Sequence, residues 1–142
     1  MKSTRQMTKA LLGGILFLAF ALAGQAAAQT WTPLAPSGGP PVARTLHSAV
    51  YNQTNNRMTV FGGFKGDPDS GFCGPDCLND VWVLANADGL GGPSTWTQLS
   101  PTGGPPSARG YHSAVYDAVN NRMMVFAGDP NIGFCFSAVN DV

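Results

Sequence analysis

His47 and His112 are the two histidines of this 142-residue chain, and each opens the same run, HSAVY. An imidazole there could ligate a metal, move a proton or make a structural hydrogen bond. Its return at an equivalent place favours the structural bond, because catalytic groups seldom recur once per repeat. Asp67-Pro68-Asp69-Ser70-Gly71 spaces its carboxylates as calcium loops do, and Asp129-Pro130-Asn131-Ile132-Gly133 keeps oxygen ligands at both places. The rest of a calcium-loop signature is missing, so an Asx or proline turn is the favoured reading. Trp31, Trp82 and Trp96 could stack on sugar, but their place in apolar runs favours core packing. Arg44 and Arg109 each end a Gly-Pro stretch, where they either anchor that loop or offer a cation to a ligand. Lys65 stands in the segment that differs most between the two halves.

Three cysteines, Cys73, Cys77 and Cys135, complete the reactive set. A Cys73–Cys77 bridge is the favoured pairing, which three intervening residues permit without requiring. Half a zinc site is the weaker reading, since no His or second Cys pair accompanies it.

These residues sit in a sequence that is stated twice. Residues 31–63 and 96–128 align at a shift of 65 without a gap, with 22 of 33 positions identical. DPDSGFC at 67–73 then returns as DPNIGFC at 129–135, Phe64, Lys65 and Gly66 having no counterpart in that alignment. Asn79-Asp80-Val81 returns as Asn140-Asp141-Val142. The length differences fall between two matched blocks, where a loop absorbs them. The sequence units are 31–95 and 96–142, the second incomplete.

Each unit reads as short strands. Leu46–Tyr51 and Arg57–Phe61 are apolar, β-branched and aromatic runs around a polar NQTNN turn, which predicts a hairpin ended by Gly62-Gly63. Val81–Ala85 gives a third strand, and the Gly-rich stretch after it turns the chain into a fourth at Thr95–Leu99. The cycle restarts at Tyr111–Tyr116. Helical periodicity is absent after the N-terminal segment, so the fold class is all-β. A four-stranded sheet with two apolar faces buries them by stacking on similar sheets, and radial stacking gives a β-propeller of about four to eight blades. Fewer than two blades are present here.

A His-Ser strand start, a strand ending in Gly-Gly, an Asn-Asp-Val-Trp strand and a Trp-Thr-x-Leu strand, in that order, resemble the kelch repeat. The resemblance covers residues 31–142 and is nearest to the long-repeat kelch proteins that bacteria secrete. The spacing of 65 exceeds the usual value of about 50, and Ala127-Gly128 replaces Gly62-Gly63 in the second copy. The resemblance gives Trp31–Leu34 the role of an outermost strand that completes the last blade of a ring. It therefore implies a fragment of a longer chain, with the remaining blades following. A homo-oligomer that closes the ring is the alternative.

Residues 1–28 show the three parts of a secretory signal peptide: Lys2, Arg5 and Lys9, an apolar stretch over 11–23, and small residues with cleavage expected after Ala28, cleavage after Ala26 being the nearby alternative. The expectation is a secreted protein, extracellular or periplasmic, with no membrane association after cleavage. Removing that segment takes three of the eight basic residues and none of the eight acidic ones, so the net charge falls from zero to −3. That balance excludes a basic patch for nucleic acid.

Recognition is expected on the loop between the second and third strands, together with the PSGGPP and PTGGPP connections. The candidate binding residues there are Arg44, Arg109, Lys65, Asp67, Asp69, Asp129 and Asn131. The reading is a binding scaffold for protein or glycan, without catalysis and without a cofactor. The alternative is the N-terminal part of an enzyme resembling galactose oxidase, whose propeller carries copper. That site needs non-repeating Tyr, His and Cys ligands, and fold alone does not transfer the activity.

Overall fold

A computed structural model describes residues 30–66, 76–130 and 138–142. The chain falls into two compact units, 1–32 and 33–142, and the second contains every strand among the described residues.

The repeated hairpin is built from its turn outward. Asn52 folds its side chain back so that Oδ1 accepts the Thr54 N–H at 2.9 Å, an Asx turn. In the second copy Asp117 does the same for the N–H groups of Val119 and Asn120, at 3.0 and 3.2 Å. Asn and Asp interchange here because the turn uses only an acceptor oxygen. Asn56 and Asn121 close the turns in the left-handed region, at φ 52° and 53°, where Asn is better tolerated than most residues. The turns join β1 (Ser48–Asn52) to β2 (Arg57–Phe64), and β5 (Ser113–Asp117) to β6 (Arg122–Phe126).

β3 (Cys77–Ala85) and β4 (Thr95–Leu99) extend the first hairpin into a four-stranded antiparallel sheet in the order β1-β2-β3-β4. β5 and β6 form a two-stranded sheet. The register puts Ser48, Val50 and Asn52 on one face of the first sheet with Thr59, Phe61, Val81 and Val83. Tyr51, Met58, Val60, Trp82, Leu84 and Trp96 share the other. Val60, Phe61, Phe64 and Leu84 are the buried apolar core among the described residues.

The four-strand order and the span of β4 are as the sequence predicts, while other boundaries differ: β3 begins at Cys77 rather than Val81, and β1 and β5 each end one residue later than expected. β1 and β5 begin later than expected, because Leu46 and Tyr111 both adopt positive φ, 57° and 56°, which breaks extended pairing just before the strand. Gly62-Gly63 does not end β2. The strand runs through a bulge between Phe61 and Gly63 and pairs again at Gly63↔Leu78 and Phe64↔Cys77. Trp31–Leu34 is not a strand.

Candidate functional site

The second-to-third-strand loop leaves the sheet at Phe64 and returns at Cys77. Phe64 is buried and bridges Thr45, with Thr45 N–H to Phe64 O at 2.8 Å and Phe64 N–H to Thr45 O at 2.9 Å. One residue further out, the Lys65 N–H donates to Asp76 O at 3.1 Å. The Lys65 ammonium lies 3.5 Å from the Asp76 carboxylate, with both side chains 42% exposed. Such an exposed pair contributes little to stability, about 0–1 kcal/mol. Its cation and carboxylate stay accessible at the rim of a rigid base.

Arg44 and Arg109 are not surface cations. Arg44 donates Nη1 and Nη2 to the two oxygens of Asp80, at 2.6 and 2.8 Å, with further bonds to the carbonyls of Gly62 (3.0 Å) and Val42 (3.1 Å). Its side chain is 4% exposed. Arg109 repeats the pattern on Asp141, on the Ala127 carbonyl and on Ser107. These arginines therefore anchor the connection and clamp an aspartate, Asp80 on β3 and its counterpart Asp141, and the surface-cation reading is corrected. A bidentate guanidinium suits this because its planar fork matches a carboxylate.

Burial pushes the Asp80 carboxyl up, but the Arg44 hydrogen bond, the Trp82 indole N–H at 2.7 Å and the Arg44 charge outweigh it and hold it below the ordinary carboxylate range. Asp141 is also held low, chiefly by its bond to Arg109. Trp82 thus spends its polar edge inside the clamp, whereas Trp31 is exposed.

Asp129 is also corrected as a loop ligand. Gly110 and Asp129 form an antiparallel bridge, with bonds of 3.1 and 2.9 Å, that copies Thr45 with Phe64. Asp129 therefore occupies the place of Phe64 rather than of Asp67, and it is 5% exposed. Continuing the shift of 65 by one more residue would have found this; the DPxxGFC match obscured it. Asp67, Asp69 and Asn131 lie outside the described residues, as does Cys73. Cys77 is in a disulfide whose partner also lies outside them, and its sulfur stands 3.5 Å from the Pro130 carbonyl oxygen.

Both Gly-Pro connections finish at the loop end, the first at Thr45 against Phe64, but they do not begin at the same end. Ser37 bridges Thr95, with Ser37 N–H to Ser94 O at 3.0 Å and Trp96 N–H to Ser37 O at 2.9 Å, so the first begins at the opposite end of the sheet. The second ends beside the loop, where the Arg109 N–H donates to Leu78 O at 3.1 Å.

The structural hydrogen bond expected of both histidines is present at His112, whereas His47 is exposed. His112 Nε2 meets Ser48 Oγ at 2.7 Å, and its ring stands edge-on to Phe61 with centroids 5.1 Å apart. Four residues on, Asn52 donates to the Tyr116 hydroxyl, which in turn donates to Asn121. Both contacts link one copy to the next at a separation of 64. Burial, then the Arg109 charge and that of His47, push the His112 pKa below 6.5. The native imidazole is therefore neutral near pH 7, while the unfolded chain takes up its proton at the ordinary value. Its contribution is complete above about pH 6.5 and is lost as pH falls through the folded value. Melting temperature should therefore fall between pH 7.5 and 5.5, and His112→Phe should flatten that part of the profile. An unchanged slope in the variant would remove His112 as the cause.

Between the first sheet and the second hairpin lies a cleft of about 590 Å³, walled by Thr59, Val83 and Leu99 on one side and Met123 and Val125 on the other. Met123 and Val125 correspond to Met58 and Val60, which β3 flanks with Leu84 and Trp82. No sequence signal marks this cleft, because it arises between elements.

An antiparallel sheet whose hairpin is repeated in a second copy, the two copies joined by polar contacts between equivalent positions, defines a protein of the β-propeller repeat class. The family model described as the KLHDC2/KLHL20/DRC7 Kelch-repeats domain matches residues 20–142. The chain belongs to the kelch-repeat family, whose repeats generally mediate protein interaction. It is similar to multiple epidermal growth factor-like domains protein 8 of Mus musculus, 32% identical over 110 residues, covering 75% of this chain and 4% of that protein. The Rattus norvegicus protein of the same name is 32% identical over 107 residues, covering 73% and 3%. The human one is 34% identical over 80 residues, covering 56% and 2%. The chain thus spans a few per cent of the length of these relatives.

Proposed function

We propose that this chain is a secreted kelch-type scaffold that binds a protein or glycan partner through the loop between β2 and β3. The observation that carries the reading is the base of that loop: Phe64 is fixed in the core, and the exposed Lys65–Asp76 pair sits directly above it. A rigid base lowers the entropic cost of ordering a recognition loop. Secretion rests on the signal-peptide pattern of residues 1–28. Non-catalytic binding is favoured because His112 and both arginines are committed to structural bonds.

A photo-crosslinking residue at Lys65, with a control at Asn55 on the turn at the other end of β2, tests this in the producing cells. The expected result is a defined protein adduct from position 65 and none from 55. A soluble-glycan panel, scored on wild type against Lys65→Glu, tests the carbohydrate arm. Equal crosslinking from both ends, with no Lys65-dependent glycan, would sink the loop-face reading. A mature N-terminus other than Gln29 or Ala27 would sink the secretion reading.

A further inference from the structure

Asn52-Gln53-Thr54 is the only Asn-x-Ser/Thr sequence in the chain, the acceptor pattern for N-linked glycan. The equivalent residues of the second copy, Asp117-Ala118-Val119, lack it. Acceptor asparagines ordinarily stand on the surface. Asn52 does not: it ends β1 at the hairpin turn and is 6% exposed. Both ends of its amide are committed. Oδ1 accepts the Thr54 N–H at 2.9 Å, while Nδ2 donates to the Tyr116 hydroxyl and, at 3.3 Å, to Asn121 Oδ1. The first bond lies within the turn, whereas the other two reach the second copy, 64 and 69 residues on. The acceptor pattern and the contact that joins the two copies therefore use the same nitrogen.

We propose that Asn52 is a conditional glycosylation site, open to N-linked glycan before the second copy docks and closed afterwards, and that a glycan there keeps the copies apart. Resting on the secretion reading, which brings the chain to the compartment where such transfer takes place, the site needs one co-reactant, an oligosaccharide held on a lipid diphosphate. Transfer joins Asn52 Nδ2 to the anomeric carbon of the sugar. The bond from that carbon to the diphosphate oxygen breaks, the lipid diphosphate leaves and the amide gives up one proton. An amide so modified keeps one N–H where the junction uses two. Its first sugar ring also takes the space of the Tyr116 hydroxyl.

Docking closes the site by the same geometry, because Nδ2 is then held between two acceptors in a buried junction. The turn alone does not close it, since the Asx bond uses only Oδ1. Synthesis order opens a window. Tyr116 follows Asn52 by 64 residues, and at about 5–20 residues per second roughly 3–13 s pass before that partner exists. Chains that receive a glycan in this interval lose the docked junction. Chains that escape it fold and become refractory.

The test offers the full chain, purified without glycan from a bacterial host, to a purified oligosaccharyltransferase with a lipid-linked oligosaccharide. Mass spectrometry reads the Asn52 peptide, and circular dichroism records the fold. Folded wild type should take up glycan more slowly than Tyr116→Ala by about tenfold or more, with the milder Tyr116→Phe between them and Thr54→Ala taking up none. In a second measurement the chain is secreted from a glycosylating cell by its own leader, and molecules with and without glycan are separated. The Gly63 N–H, which donates to the Arg109 carbonyl across the junction at 2.9 Å, should exchange with solvent about tenfold or more faster when glycan is present. Equal uptake by folded wild type and both Tyr116 variants overturns the proposal, as does no uptake by any of them. So does a glycan-bearing chain whose Gly63 N–H is as protected as in the bare one. Wild type retained in the cell with its leader uncut fails the secretion reading alone, and the purified reaction still decides the site.

Discussion

Arg44→Met should lower stability by about 3 kcal/mol, because removing one partner of a buried ion pair strands the other. By the usual scaling this moves the melting temperature of a domain of this size by roughly 12–20 °C. Methionine keeps much of the stem volume, so the loss isolates the guanidinium. It removes both bonds to Asp80 and those to the Gly62 and Val42 carbonyls, leaving the Asp80 carboxylate with the Trp82 indole as its side-chain donor and no cation. Three separate segments meet at this one group, so its loss loosens the connection, the bulge in β2 and the start of β3 together. Asp80 gives the effect a pH signature. Its folded pKa lies below the ordinary 3.8, so the clamp's contribution is complete above that value and is lost as pH falls through the folded one. Wild type should lose stability steeply below about pH 4, and Arg44→Met should lose less there. A double-mutant cycle with Asp80→Asn measures the coupling directly. A cost under about 0.5 kcal/mol would return Arg44 to the ranks of surface cations.

That outcome bears on what the sequence could reveal. The repeat, the strand order and the all-β class were legible because they are written in periodicity and in matched blocks. The hairpin turns were legible because NQTNN and DAVNN contain the acceptor and the left-handed asparagine that a turn requires. The arginines left two readings open, since a guanidinium looks the same in sequence whether it faces solvent or Asp80. Its partner is 36 residues away, and only the folded register brings them together. Asp129 misled for a different reason. The DPxxGFC similarity pulled it into the loop, while backbone bridging set it in the place of buried Phe64. Side-chain likeness and backbone position disagreed, and hydrogen bonding decided.

Gly63→Ala should cost about 3–4 kcal/mol, combining strain at a positive φ with a steric clash in a packed region. Gly63 has φ 96°, and a Cβ there would stand 2.6 Å from the Thr45 carbonyl oxygen and 2.8 Å from His47 Cβ. Neither neighbour can yield cheaply, since Thr45 is held by two backbone bonds to Phe64. Gly128 has φ 109° and equally close neighbours, 2.8 Å to the Gly110 carbonyl and 2.9 Å to His112 Cβ. The position before it behaves differently. Gly62 has φ 61° and its counterpart Ala127 has φ 60°, so the second copy already accepts a side chain in the left-handed region at a cost of about 1–2 kcal/mol. That is why the Gly-Gly pair lapses at its first member and not at its second. Thermal melts should therefore show Gly63→Ala and Gly128→Ala strongly destabilised, with Ala127→Gly within about 1 kcal/mol of wild type. The bulge that Gly63 permits carries Phe64 into the core, and Phe64 fixes the base of the 65–76 loop. If Gly63→Ala melted like wild type, the bulge would not depend on glycine, and the rigid base assigned to the recognition loop would lose its physical cause.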